Sequence, residues 1–242
     1  MILDLPTSYA EQFTRDGYGV FPEAVSDETV QKLQAAIDEL PESTGLLRNA
    51  GRYGIRNLLE LSPAVRECAR LPEVRRFATA ILGEGAFAVR ATFFDKVPDA
   101  NWSLIWHQDL AIAVAEKRDV PGFKAWRNKE GVWLVQPPRE ILSRVIAVRI
   151  HLDDCGPENG PLRVVPGSHR QGVLENQEVT EGTGAEQVTC CVPAGGVVIM
   201  SPLTLHASSK AESPSHRRVV HIEYANEELP GGLQWHQRIT AV

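Results

Sequence analysis

RRVVHIEYA, residues 217–225, reads as a strand. Side chains on a strand alternate between faces with period 2, so Arg217, Val219, His221 and Glu223 face one way and Arg218, Val220, Ile222 and Tyr224 the other. One arginine then points into an interior and its neighbour out to solvent. A buried guanidinium needs a planar anion, and a carboxylate gripped by its two-pronged fork is the natural partner. Working outward, five more runs share this β-branched character: AFAVRATFF (86–94), VIAVRIHLD (145–153), PLRVV (161–165), QVTCCV (187–192) and GGVVIM (195–200). Gly, Pro and Asn clusters separate them, and no helical pattern alternates between them. The expectation is a mainly β sandwich or barrel, not a parallel α/β sheet.

The N-terminal part, residues 1–85, reads as helical. Ser26 precedes a run with Val30, Leu33, Ile37 and Leu40 on one face, stopped by Pro41. Ser62-Pro63 opens a second short helix and LPEVRRFATAILG (71–83) a third, closed by Gly83. Residues 111–144 have no steady period and read as a long lid-like insertion in the β part, 86–225; residues 226–242 form a tail. No internal repeat or linker is visible, so the expected organisation is one domain, 1–242.

Composition is that of an ordinary globular protein: 43% hydrophobic and 23% charged, with 25 basic against 31 acidic side chains in 242 residues. A net charge of −6 argues against nucleic-acid or anionic-membrane partners. No apolar run approaches the roughly 20 residues of a membrane span, and the start MILDLPTSYAEQF lacks signal-peptide character. Cys68, Cys155, Cys190 and Cys191 form no CxxC pair, which excludes a cysteine zinc site and suits reduced thiols in a cytoplasmic protein.

Two histidines lie in His-x-Asp, His107-Gln-Asp109 and His151-Leu-Asp153, and His221-Ile-Glu223 is the Glu version. In extended backbone the i and i+2 side chains share a side, so imidazole and carboxylate can meet one metal ion. A distal histidine then completes a two-His, one-carboxylate face with open positions. Context separates the three. His221-Ile-Glu223 has only His236 downstream as a partner. Asp153 and Asp154 suit the turn that follows His151. His107 and Asp109 sit between a strand and the irregular insertion, where a barrel mouth would lie. His206 emerges after the core strand GGVVIM and a Pro turn, as a distal ligand should. His169, in Pro-Gly-Ser-His, reads as a residue that ties down its turn.

WHQDL (106–110), ENGPLRVVPGSHRQG (158–172), LTLHASS (203–209) and SPSHRRVVHIEYA (213–225) resemble, in order, motifs of the phytanoyl-CoA dioxygenase family. The resemblance covers about residues 86–225. It implies a double-stranded β-helix (a cupin-like jelly roll) and an Fe(II)- and 2-oxoglutarate-dependent dioxygenase that consumes O2 and releases succinate and CO2. It makes His107, Asp109 and His206 the iron ligands, and Arg217, eleven residues after His206, the partner of the distal 2-oxoglutarate carboxylate. Ser208 and Thr92 resemble further 2-oxoglutarate contacts. Arg149 stands where some members have an aromatic residue, leaving co-substrate and substrate contact both open. Asp109 stands where halogenating members have a small residue, which implies hydroxylation of an aliphatic C–H in a small organic substrate, or a related oxidation.

The insertion carries Lys117, Arg118, Lys124, Arg127, Lys129, Arg139 and Arg144 against Glu116, Asp119, Glu130 and Glu140 over residues 116–144. With Trp126 and Trp133 among them, and Gln136 close by, Trp126, Arg127, Trp133 and Gln136 are the expected substrate contacts, and the cationic excess suits an anionic one. A solvated charged loop anchored by two tryptophans is the plainer alternative. Two other functions stay open: a cupin-like metalloenzyme that does not use 2-oxoglutarate, and a non-catalytic jelly-roll binding protein. Oligomeric state is not legible.

Overall fold

Helices in the N-terminal part begin where their caps dictate. The Ser26 hydroxyl accepts from the Thr29 amide (3.2 Å) and starts α2 (Asp27–Asp38). Ser62 caps α4 (Pro63–Cys68), and Gly83 closes α5 (Pro72–Leu82). Two more helices, α1 (Tyr9–Asp16) and α3 (Leu58–Leu61), complete this layer. The computed structural model describes residues 5, 8–48, 51–182 and 184–241. No described helix is long and apolar enough to cross a membrane.

The first 85 residues also hold strands that a helical reading misses: β1 (Tyr18–Phe21), β2 (Gly45–Arg48) and β3 (Gly51–Ile55). Each is four or five residues long, too short to establish a period, and owes its conformation to pairing with the main sheet. That sheet continues with β4 (Phe87–Phe94), β9 (Val145–His151), β12 (Val197–Met200) and β14 (Val219–Ala225) in the order β1-β12-β9-β14-β4-β3-β2. A second sheet, β11-β10-β13-β5, comprises β5 (Leu104–His107), β10 (Leu162–Val164), β11 (Val188–Cys190) and β13 (His206–Ser208). All pairings are antiparallel. The two sheets face each other as a jelly roll.

The alternation of β14 decides which face is which. Val220, Ile222 and Tyr224 turn to the helices, with Ile146, Val148 and Ile150 of β9 and with Leu33, Ile37, Val74 and Phe77. Each large apolar side chain buried there stabilises by about 1.5–3 kcal/mol. The other face is polar, and pairing register arranges it in rows: Arg149–His221–Thr92, then Ala147–Glu223–Arg90. Arg218 does not reach free solvent as its alternation suggests. Its guanidinium grips Asp153 with two hydrogen bonds (3.0 and 2.7 Å), which gives the aspartate after His151 its role.

The aperiodic insertion is not a loop. It folds into a small sheet, β6-β8-β7, of β6 (Ile112–Val114), β7 (Lys124–Lys129) and β8 (Val132–Gln136). A bulge at Ala125 (φ +54°) interrupts the register of β7. Glu130 and Gly131 both take positive φ, as a tight two-residue hairpin turn requires. In the tail, Trp235 bridges Val114 and Ile239 bridges Ala88.

Candidate active site

His107 ends β5, His206 begins β13, and the two are direct cross-strand partners. Residues so placed bring their side chains together on one face, and the ring centroids are 4.1 Å apart. His107 Nδ1 lies 2.9 Å from the Ile105 carbonyl and His206 Nδ1 2.8 Å from the Thr204 carbonyl. A carbonyl only accepts, so each Nδ1 carries the proton and each Nε2 presents a lone pair. Both Nε2 atoms face Asp109, at 3.6 Å from Oδ1 and 3.6 Å from Oδ2 respectively. These separations are too long for hydrogen bonds. One ligand atom from each of the three residues falls within 4.8 Å of the others.

Gln108 explains how so short a motif is held. It points opposite to its neighbours, donates to the Gly172 and Leu203 carbonyls (2.7 and 2.6 Å), and accepts from the Leu174 amide (2.8 Å). The Asp109 amide adds a bond to the Pro202 carbonyl, 2.8 Å. Electrostatics set the protonation states. Burial pushes the Asp109 carboxyl up, but the positive charge that His206, His107 and His221 carry when protonated outweighs it and pulls the group well below the usual carboxylate range. Burial lowers His206 to about 4, against the opposing pull of Asp109. Burial pulls His107 down, but the neighbouring Asp109 outweighs it and raises its pKa, so a metal ion at Nε2 would take the place of that proton. Two imidazoles and one carboxylate are the donor set of a non-haem Fe(II) site.

The three residues open onto a cavity of about 540 Å³ between the sheets. Thr92, Arg149, Ser208 and Arg217 all line it. Arg217, 2% exposed, donates through Nη1 to the Gly160 carbonyl and to Ser208 Oγ. Lys96 Nζ reaches the same two residues (3.3 Å to the carbonyl, 2.7 Å to Oγ). Gly160 has φ +60°, and a Cβ there would sit 2.5 Å from the Ser209 carbonyl and 2.7 Å from Lys96 Nζ. The Asn159-Gly160 turn therefore demands glycine.

Of the expected substrate contacts, Arg127 lines an adjoining chamber of about 290 Å³ that shares His107 and Asp109 with the main cavity. Trp126 and Trp133 line neither. They meet edge to face (6.5 Å) and pack on the apolar cluster under the small sheet, because the alternation of β7 puts Trp126 and Arg127 on opposite faces. Gln136 also stands outside both chambers, opposite Lys124 in the β7–β8 ladder. His169 Nε2 bonds the Thr14 carbonyl (3.2 Å) and ties its turn to α1. His221, Glu223 and Arg90 line the cavity although sequence reasoning passed over them. The signal was the period-2 count from Arg217, which places His221 and Glu223 on its side.

A model of the phytanoyl-CoA dioxygenase (PhyH) family matches residues 13–219. The chain belongs to the phytanoyl-CoA dioxygenase family. It is 25% identical over 247 residues to L-proline trans-4-hydroxylase of Streptomyces griseoviridis, covering 88% of this chain and 84% of that one. It is likewise 25% identical to the ectoine dioxygenase of Bordetella bronchiseptica, over 93% of this chain and 76% of that one. Among solved structures, a non-haem α-ketoglutarate-dependent carbocyclase of nogalamycin biosynthesis superposes with TM-score 0.73 at 20% identity, over 93% of this chain and 85% of that one. EctD from S. alaskensis in its apoform gives 0.73 at 20%, over 98% and 87%. These likenesses establish the jelly roll. As a phytanoyl-CoA dioxygenase family member the chain is an oxygenase that works with iron and 2-oxoglutarate, the first of the three functions left open by the sequence.

The residues present fit both groups. The Nε2 lone pairs and Asp109 converge on one point, as an iron ion requires. Thr92 Oγ1, Arg149 Nε and Arg217 Nε are buried without a hydrogen-bond partner, and Arg149 and Arg217 have no carboxylate partner among the described residues. Buried guanidinium groups without an anion are costly, and a dicarboxylate of 2-oxoglutarate's size offsets that cost.

Proposed function

We propose that this protein hydroxylates an aliphatic C–H bond of a small organic substrate. The balance is substrate, 2-oxoglutarate and O2 to alcohol, succinate and CO2. His107, Asp109 and His206 would hold the iron, which when bound supplies the oxidative chemistry that links decarboxylation of 2-oxoglutarate to C–H oxidation. The chain's own residues do the rest. Arg217 grips the distal carboxylate of 2-oxoglutarate with its free Nε–H edge, Ser208 and Thr92 offer hydroxyls beside it, and Arg149 adds a second cation from the neighbouring strand. Phe94, Trp102 and Leu162 give the cavity an apolar wall beside these polar groups. The observation that carries this reading is the pairing of His107 with His206 across β5 and β13, both Nε2 atoms turned to Asp109, above a cavity floored by Arg217.

The test is the visible spectrum of the protein with Fe(II) under anaerobic conditions, before and after 2-oxoglutarate. A charge-transfer band should appear, vanish in His107→Ala and weaken in Arg217→Ala. Iron binding with no band would remove the co-substrate role from Arg217. Absence of iron binding would remove the metal role from the triad.

A further inference from the structure

We propose that the chamber adjoining the metal-binding residues is an anion site: it selects substrates that carry a carboxylate or phosphate on a short apolar body, through Arg127 and Lys129 of the β7–β8 hairpin. This deepens the oxygenase reading and rests on it for which molecule reacts. The chamber has apolar walls, Leu46, Leu110 and Leu134, and four cations, Arg56, Arg90, Arg127 and Lys129. Two of the cations are already matched. Arg56 pairs with Glu130 at the hairpin turn, and Arg90 lies 3.4 Å from Glu223. Arg127 and Lys129 have no acidic partner among the described residues.

The register explains why these two line the same chamber. Arg127 and Lys129 share one side of β7, while Trp126 and Asn128 take the other, where Trp126 packs on Trp133. The hairpin is thus fastened by its tryptophan face and presents its cationic face to the chamber. The crowding is electrostatic as well as geometric. Burial, then the guanidinium groups of Arg56, Arg127 and Arg90, lowers the pKa of Lys129, and the field of Glu130, committed to Arg56, does not restore it. A cluster of cations with two charges unmatched, beside an apolar wall and sharing His107 and Asp109 with the metal site, is complementary to an amphipathic anion. Glu223, 11% exposed, keeps Arg90 in place on the floor between the two chambers.

The probes are hexanoate, hexyl phosphate, hexan-1-ol and hexylamine. Binding is measured calorimetrically on full-length protein loaded with Zn(II) and N-oxalylglycine, an unreactive pair that occupies the metal and co-substrate positions. Hexanoate or hexyl phosphate should bind at least tenfold more tightly than hexan-1-ol, the tighter of the two naming the headgroup. Each exposed cation contributes up to about fivefold, so Arg127→Gln/Lys129→Gln should erase most of this preference. Arg127→Glu/Lys129→Glu should shift it to hexylamine, and Lys124→Gln, one charge on the same hairpin outside both chambers, should leave it alone. Equal binding of the alcohol, no anion binding at millimolar concentration, or an anion preference that survives the double substitution would overturn the site. An anion preference that depends on Arg127 and Lys129 in a protein that binds neither Zn(II) nor N-oxalylglycine would instead overturn the oxygenase reading and leave this site standing.

Discussion

Arg149 Nη1 donates a hydrogen bond of 2.8 Å to His221 Nδ1, its cross-strand neighbour on β14. A guanidinium has no acceptor, so Nδ1 is the accepting nitrogen, which leaves Nε2 as the N–H, 3.5 Å from Glu223 Oε1. Arg90 approaches the same oxygen at 3.4 Å from the other side. A polar ladder, Arg149–His221–Glu223–Arg90, thus crosses the cavity floor and fixes two guanidinium groups whose carboxylate partners must come from a ligand or from Glu223.

Replacing the rung tests the ladder. His221→Phe preserves an aromatic ring but removes the acceptor from a buried cation. Hydrogen bonds to charged groups are worth about 1.5–3 kcal/mol, so urea unfolding should show a loss of that order. His221→Gln, which can still accept, should recover part of it. Unchanged stability in His221→Phe would mean that Arg149 is held by something else.

Arg217 should behave in the opposite sense. Its guanidinium is buried, bonded to a carbonyl and a hydroxyl, and lacks an anion until a dicarboxylate arrives. Removing one partner of a buried charge pair costs roughly 2–5 kcal/mol of binding, so Arg217→Met should lower 2-oxoglutarate affinity by about 30-fold or more. The same substitution removes an uncompensated buried charge, so the ligand-free protein should melt no earlier than wild type. Melting curves with and without 2-oxoglutarate check both signs.

Lys96 supplies a pH signature. Burial, with the Arg217 and Arg149 charges adding to it, lowers its ammonium to about 7 from the ordinary 10.5. Between these values the unfolded chain binds a proton that the folded chain does not, so this group makes stability rise with pH across that window. A dianion beside Ser208 favours the charged ammonium, so 2-oxoglutarate binding should take up a proton and weaken as pH climbs from 7 to 9. Calorimetry in two buffers of different ionisation enthalpy reads the uptake. Lys96→Met should abolish it, and the wild-type minus Lys96→Met stability difference should grow over the same range.

Much of this site was legible because period-2 geometry is local. His107 and Asp109 share a side by their spacing, and the count from Arg217 places His221 and Glu223 with it. What the sequence withheld depends on pairing. Register across three strands puts Arg149 against His221 and Arg90 against Glu223, and nothing in either strand alone announces it. Short strands β1–β3 and the bulged β7 carry too few alternations to show a period. Composition groups Trp126 and Arg127 together as lid contacts, yet neighbours on a strand face opposite ways, and of the two Arg127 alone lines a chamber.

Gln108 was equally silent in sequence, being the variable letter between two ligands. Its amide makes three buried hydrogen bonds, to the carbonyls of Gly172 and Leu203 and from the Leu174 amide, which join the end of β5 to the segments before α-helical residues 176–182 and before β13. Gln108→Leu matches it in size but strands all three backbone groups. Each unsatisfied buried group costs about 1–3 kcal/mol, so a loss of several kcal/mol is expected where the backbone cannot relax. The loss should fall on metal affinity too, since His107 and Asp109 keep their chemistry but lose the brace that aims them; a supporting contact of this kind is worth about 10–100-fold in metal binding. Gln108→Glu separates the two effects. Its carboxylate accepts from Leu174 but cannot donate to the carbonyls, so affinity for Fe(II), measured by competition with a chelator at pH 7, should fall between wild type and Gln108→Leu. Wild-type metal affinity in Gln108→Leu would show that β5 and β13 alone hold the two histidines and the aspartate in place.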